Sequence, residues 1–305
     1  MLDLMVAWLL GSPPFSFFED IMIIDIHTHT FPEKIAAKAI ESLSKEAHIV
    51  ANTDGTNTGL KASMKEAEVD ISVIMPVATA AAQVVKINDR AVRVNEEEES
   101  LISFGCIHPE FEDYRNELRR IAEHGIKGIK IHPVYQKLDI DDVNFLNIID
   151  CAAENGLIVL THAGLDVGFP GVVKCSPKMC RHVWDEIGEF TFILAHMGGW
   201  ENWEEVPEYF AGTGVYLDTS FSTEKIKPLN DGYWDGKNLS MLGEDRVMKL
   251  INAIGADRIL FGSDSPWTSQ KDSIVFLKRL PLTSAEQSDI LGRNAAKLIF
   301  NKNIL

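Results

Sequence analysis

A (β/α)8 barrel of the TIM-barrel class, a single α/β domain, is the architecture this sequence predicts, and three observations predict it. Short apolar runs recur along the chain, segments of helical period separate them, and 305 residues fit a fold that takes roughly 250. A doubly wound open sheet would be the alternative. Its first strand would normally run into a Gly-rich phosphate turn, whereas here the first apolar run ends in His27-Thr28-His29.

The elements follow in order. Residues 1–21 have no periodicity; 5–10 reads MVAWLL, and no Lys or Arg precedes Lys34, so a secretory signal is not expected. This segment reads as an N-terminal extension outside the barrel, with Met22 as the working start and 22–305 as one barrel domain. Strands are expected at 23–26, 71–77, 101–107, 127–132, 157–161, 191–195, 214–218 and 258–262, each the length of a buried parallel strand. Helices lie between them. In Val143–Glu154 the residues Val143, Leu146, Ile149 and Ala153 share one stripe. Pro32 and Pro109 suit first-turn positions, and Gly125 and Gly156 suit helix stops. The polar stretch 51–59 could cover a barrel mouth or simply connect, and the irregular stretch 220–241 has the size of an active-site lid.

Composition narrows the function. Lys plus Arg is 29 against 45 for Asp plus Glu, a net charge of −16, which repels phosphate backbones and anionic lipid. Nucleic acid and membrane are therefore not expected partners; a small-molecule substrate is, with a homodimer as the default assembly. No run reaches the ~18 apolar residues of a membrane span. Four cysteines (Cys106, Cys151, Cys175 and Cys180) are too few for a disulfide framework and suit a reducing, cytoplasmic setting.

Chemistry concentrates at the strand ends, where a barrel of this class carries its catalytic groups. His27 and His29 are two residues apart and share a face. Lys130 and His132 close the fourth strand, His162 the fifth, His196 the sixth and Asp264 the eighth. Buried polar groups are costly unless paired, and several imidazoles beside one carboxylate are best satisfied by a divalent cation.

The set His27-x-His29, His162, His196 and Asp264, in that order, resembles the amidohydrolase superfamily of metal-dependent enzymes. The wording LAHMGG at His196, FGSDSPW at Asp264 and the closing GRNAAKLIF most resemble its amidohydrolase-2 branch, which includes aminocarboxymuconate-semialdehyde decarboxylase. The resemblance spans 23–300. It implies that His27, His29, His162 and Asp264 ligate one metal, with zinc the leading candidate and another divalent ion the alternative. It also makes Asp264 and His196 the catalytic residues, Asp264 as proton acceptor beside an activated water and His196 as oxyanion partner or proton donor.

Several roles stay open. In binuclear members a lysine at this strand end is carbamylated and bridges two metals, with His196 on the second; Lys130 could equally contact substrate or be buried for structure. His132 is divided between substrate contact and support of the metal ligands. Trp200 and Trp267 either wall the pocket or pack against helices. Asp25 shares parity with His27 and is expected to accept from a ligating imidazole, with a plain strand-end hydrogen bond as the alternative, while Asp218 could reach the metal site or the next turn. Cys175 and Cys180 are a poor zinc pair without more ligands.

Two reactions follow from the resemblance. The first is hydrolysis, with activated water attacking an amide, lactone or ester carbon. The second is non-oxidative decarboxylation of an acidic or aromatic carboxylate, which requires cations for the carboxylates; Arg181 and Lys174 are the candidates read from the loop after the fifth strand. Lys130 tilts the sequence reading towards hydrolysis.

Overall fold

Residues 22–223, 225–234, 239 and 241–300 are described by the structure, a computed structural model. The extension expected at 1–21 lies outside them, as do parts of the 220–241 stretch. Nine strand segments among the described residues make an eight-staved parallel barrel. They are β1 (Ile24–Thr28), β2 (Ile71–Ile74), β3 (Leu101–Ser103), β4 (Gly105–Cys106), β5 (Gly128–Ile131), β6 (Ile158–Thr161), β7 (Phe192–Leu194), β8 (Tyr216–Asp218) and β9 (Ile259–Leu260). The third expected strand is bent into β3 and β4 at Phe104, whose N–H donates to the Ile74 carbonyl at 3.0 Å and keeps the two halves in one stave. Closure comes from the residues just past β9. Ile26 N–H donates to the Phe261 carbonyl at 2.9 Å, Asp264 N–H to that of His27 at 2.8 Å, and His29 N–H to that of Ser265 at 2.6 Å.

Alternation along the strands builds two cores. Ile158 and Leu160, Val73 and Met75, and Ile24 and Ile26 fill the barrel interior, with Ala295, Ala296 and Ile299 of α11 (Asn294–Phe300) packed with them. Val159, Ile129, Ile131 and Leu217 face outward into the layer under the helices. Each such side chain, once buried, contributes about 1.5–3 kcal/mol of hydrophobic stabilisation.

The helical ring comprises α1 (Glu33–Ala47), α2 (Asn57–Ala67), α3 (Val84–Glu97), α4 (Tyr114–Glu123), α5 (Val143–Glu154), α6 (Pro177–Ile187), α7 (Val206–Phe210), α8 (Glu244–Ile254), α9 (Gln270–Arg279), α10 (Ser284–Ser288) and α11. Gly125 and Gly156 follow α4 and α5 at φ 83° and 68°, the left-handed stops expected of them. Pro32 directly precedes α1, but Pro109 lies in a turn ahead of α4 and starts no helix. The boundaries of α5 are those expected, yet its stripe is rotated. Phe145, Ile148, Ile149 and Ala152 are buried while Val143 is 63% exposed, because seating the phenylalanine ring buries more apolar area than seating the valine. No described helix is long and apolar enough to cross a membrane.

Candidate active site

A cavity of about 940 Å3 opens at the C-terminal ends of the strands. Nine of the site residues expected from sequence line it: His27, His29, Lys130, His132, His162, His196, Asp264, Trp200 and Trp267. Three local features aim them. The register between β1 and β2 slips by one residue between Asp25 and Thr28, so the strand parity read from sequence does not carry from Asp25 to His27. His132 follows Lys130 out of β5 at the same parity. His196 and Asp264 adopt left-handed backbone, φ 59° and 63°, which turns side chains into the site that a continued strand would not. Non-glycine residues held there cost roughly 1–3 kcal/mol each, a strain typical of functional positions.

Hydrogen bonds fix which nitrogen of each imidazole carries the proton. His29 donates from Nδ1 to the Met75 carbonyl at 2.8 Å, and His27 donates from Nδ1 to Asp218 Oδ2 at 2.8 Å. Both rings therefore present a bare Nε2. These lie 2.9 Å (His29) and 3.5 Å (His27) from Asp264 Oδ1. His162 donates from Nε2 to the Leu165 carbonyl, and His196 from Nδ1 to the Ser220 carbonyl, each at 3.0 Å. That leaves His162 Nδ1 and His196 Nε2 as two lone pairs facing each other at 3.0 Å. Acceptors in such contact need a positive centre between or beside them. A shared proton is disfavoured, because burial takes His162 down to about 3 and holds His27 and His196 well below the ordinary imidazole range. Bare imidazole nitrogens with one carboxylate are the donor chemistry of zinc and related divalent ions, so the residues present fit such an ion.

The four ligands implied by the resemblance are not equally gathered. His27, His29 and Asp264 have donor atoms within 4.8 Å of one another, and His132, His162 and Asp166 form a second such group. His162 thus sits with His132, ring centroids 4.3 Å apart and nearly parallel, and touches the first group's neighbourhood through His196. His132 pairs with Asp166 (Nε2 to Oδ2, 3.3 Å), while its buried Nδ1 has no partner among the described residues.

Lys130 is 1% exposed, and its Nζ donates to His27 Nε2 at 3.1 Å. Burial brings its ammonium down to about 8 against the pull of Asp218 and Asp264. Burial likewise raises Asp264, with His29 opposing. Asp25 does not serve an imidazole: it accepts from the backbone N–H of His27 and Ser263, from Ser263 Oγ and from Gln270 Nε2. The expected acceptor role falls to Asp218, which also takes the His196 N–H at 3.0 Å. Cys175 and Cys180 approach to 3.3 Å between sulfurs, while His182 turns to Asp141 and Glu186.

Some functional residues escaped the sequence reading. Asp166 lies in the irregular loop after β6, where no period marks it. Ser220, whose Oγ lies 2.9 Å from His27 Nδ1 and 3.0 Å from His196 Nδ1, is an ordinary loop serine in one dimension. Among cations, Arg181 pairs with Asp185 and Lys174 with Asp139, and neither lines the cavity; Arg90 of α3 does.

A family model described as Amidohydrolase matches residues 24–300. No curated protein matches the sequence. Among solved structures, a TIM-barrel protein from Bordetella bronchiseptica is 16% identical over 92% of this chain and 98% of its own, with a TM-score of 0.70. A 5-carboxyvanillate decarboxylase from Novosphingobium aromaticivorans, solved with manganese and 3-methoxy-4-hydroxy-5-nitrobenzoic acid, is 13% identical over 92% and 97%, TM-score 0.67. A 2,6-dihydroxybenzoate decarboxylase from Rhizobium is 16% identical over 92% and 99%, TM-score 0.62. At these identities the likeness establishes the barrel fold.

Proposed function

The chain belongs to the amidohydrolase family, and from that premise we propose that it is a metal-dependent, non-oxidative decarboxylase of a small aromatic or otherwise unsaturated carboxylic acid. One observation carries the reading. The bare nitrogens of His27 and His29, with Asp264 and with His162 and His196 beside them, meet in a cavity whose remaining walls combine apolar side chains with cations that have no carboxylate in salt-bridge distance among the described residues. Such walls suit an acid with a flat apolar body. Decarboxylation is also the reaction named for two of the solved structures that share the fold. Hydrolysis, the first choice from sequence, has less support: it leaned on Lys130, while the cations that decarboxylation requires, sought from sequence at Arg181 and Lys174, are available in the cavity wall as Lys34, Lys86, Arg90 and Arg93.

His27, His29 and Asp264, with His162 adjoining, would hold a divalent ion, either zinc or manganese, whose charge would steady the substrate's anionic oxygens as negative charge builds on the ring. The chain's own groups do the rest. Lys130, buried and with no carboxylate in salt-bridge distance among the described residues, is placed to bind an acidic oxygen. Trp200, Trp267 and Phe221 wall the cavity and keep water from a charged reactant. When the carbon–carbon bond breaks, its electron pair stays on the ring carbon and carbon dioxide departs, so a proton must reach that carbon. Asp264 is the donor proposed on position: its Oδ1 faces the same point as both histidines, beside where the carbon–carbon bond would break. His196, held by Ser220 and Asp218, keeps Nε2 turned to His162 Nδ1 beside the metal-binding cluster.

Protein reconstituted with manganese or zinc and given a panel of hydroxybenzoic acids is expected to release carbon dioxide from at least one, read by mass spectrometry of the headspace. Cleavage of ester, lactone or amide substrates with no carbon dioxide from any acid would overturn the proposal.

A further inference from the structure

Part of the cavity wall is cationic. Lys86, Arg90 and Arg93 recur at helical spacing on α3, and Lys34 comes from the start of α1; all four line the cavity. None has a carboxylate within salt-bridge distance among the described residues, in a chain with 45 acidic residues. The acids lining the cavity, Asp166 and Asp264, are both at the histidine end.

Arg90 is the built part of this wall. It is half-buried, and its Nη2 donates to Thr30 Oγ1 and Asn57 Oδ1, each at 3.0 Å, while Nη1 reaches the Thr30 carbonyl at 3.5 Å. These neutral acceptors orient the guanidinium without neutralising it. Burial and the neighbouring Arg93 both press against its charge. A cation held in a fixed pose without a counter-ion is costly, and a planar fork with free N–H groups matches a carboxylate. Thr30 directly follows His29, so Arg90 is tied to the same loop as the histidine cluster.

We propose that Arg90, assisted by Arg93 and Lys86, is a second anion subsite that binds a carboxylate at the far side of the substrate from the one held at the histidines. The substrate is accordingly a diacid, with an apolar body lying between its two acidic groups. This deepens the decarboxylase reading and rests on it for the identity of the reacting end, although the subsite can be tested without turnover.

The probes are benzoate, isophthalate and terephthalate, with binding read by calorimetry on the metal-loaded full chain and no catalysis required. At least one diacid should bind about tenfold more tightly than benzoate, and Arg90→Met should abolish that advantage while leaving benzoate affinity within about twofold. Arg93→Met, which leaves the bonds to Thr30 and Asn57 in place, should remove part of it, so a folding defect at Arg90 cannot account for the whole result. Equal affinity for the three acids, binding of none, or a diacid preference that survives Arg90→Met overturns the subsite. Carbon dioxide release is scored separately, so a diacid that binds through Arg90 but is never decarboxylated would refute the reaction and keep the subsite.

Discussion

His29 and His196 play different parts at the level of single residues. His29 offers its bare Nε2 to the cation position, so His29→Ala should lose metal retention and turnover together, with metal content read by mass spectrometry after dialysis. His196→Ala should keep metal bound by His27, His29 and Asp264 and lose rate by ~100-fold or more; unchanged turnover would remove it from the proposed chemistry. Asp25 serves the fold, since its carboxylate gathers four donors between β1 and the segment after β9. Asp25→Ala strands those donors and should lower unfolding free energy by ~2–4 kcal/mol in a denaturant titration. The histidines and Asp264 were legible in one dimension because they end apolar runs. The tautomers were not, since they depend on the carbonyls of Met75 and Ser220, brought from elsewhere in the chain, and on the loop turn that returns the Leu165 carbonyl to His162. Asp25 was misread because a one-residue slip in β1 is invisible to a parity argument.

At the scale of elements, the loops after β6 and β7 are locked together. Trp200 N–H donates to the Ala163 carbonyl at 2.9 Å, and Leu165 N–H to that of Trp200 at 3.0 Å. Gly164 lies between them at φ 87°, where an added Cβ would land on the Trp200 backbone. Gly164→Ala should therefore push the two loops apart, destabilise the protein by ~2–4 kcal/mol and weaken metal binding by displacing His162 and His196. Intact stability with intact metal affinity would contradict that coupling. Strand positions were readable from short apolar runs, because a strand covered on both faces needs little else. Arg90 was missed for the opposite reason. A charged residue in mid-helix reads as solvent-facing, and only the packing of α1 against the mouth shows that this face of α3 lines a cavity.

Across the whole molecule, the barrel brings residues from β1, β5, β6, β7 and the β9 end to one rim, so occupancy of the site and closure of the barrel support each other. An ion at a thousandfold excess over its dissociation constant stabilises the native state by about 4 kcal/mol. Chelation should lower the melting temperature by several degrees, readded manganese or zinc should restore it, and His29→Ala should show neither change. The most direct test is anomalous diffraction from crystals soaked in manganese. A single strong peak within bonding distance of His27 Nε2, His29 Nε2 and an Asp264 carboxylate oxygen is the expected result. A clear map with no peak there, or with the ion bound only at surface carboxylates, would contradict it.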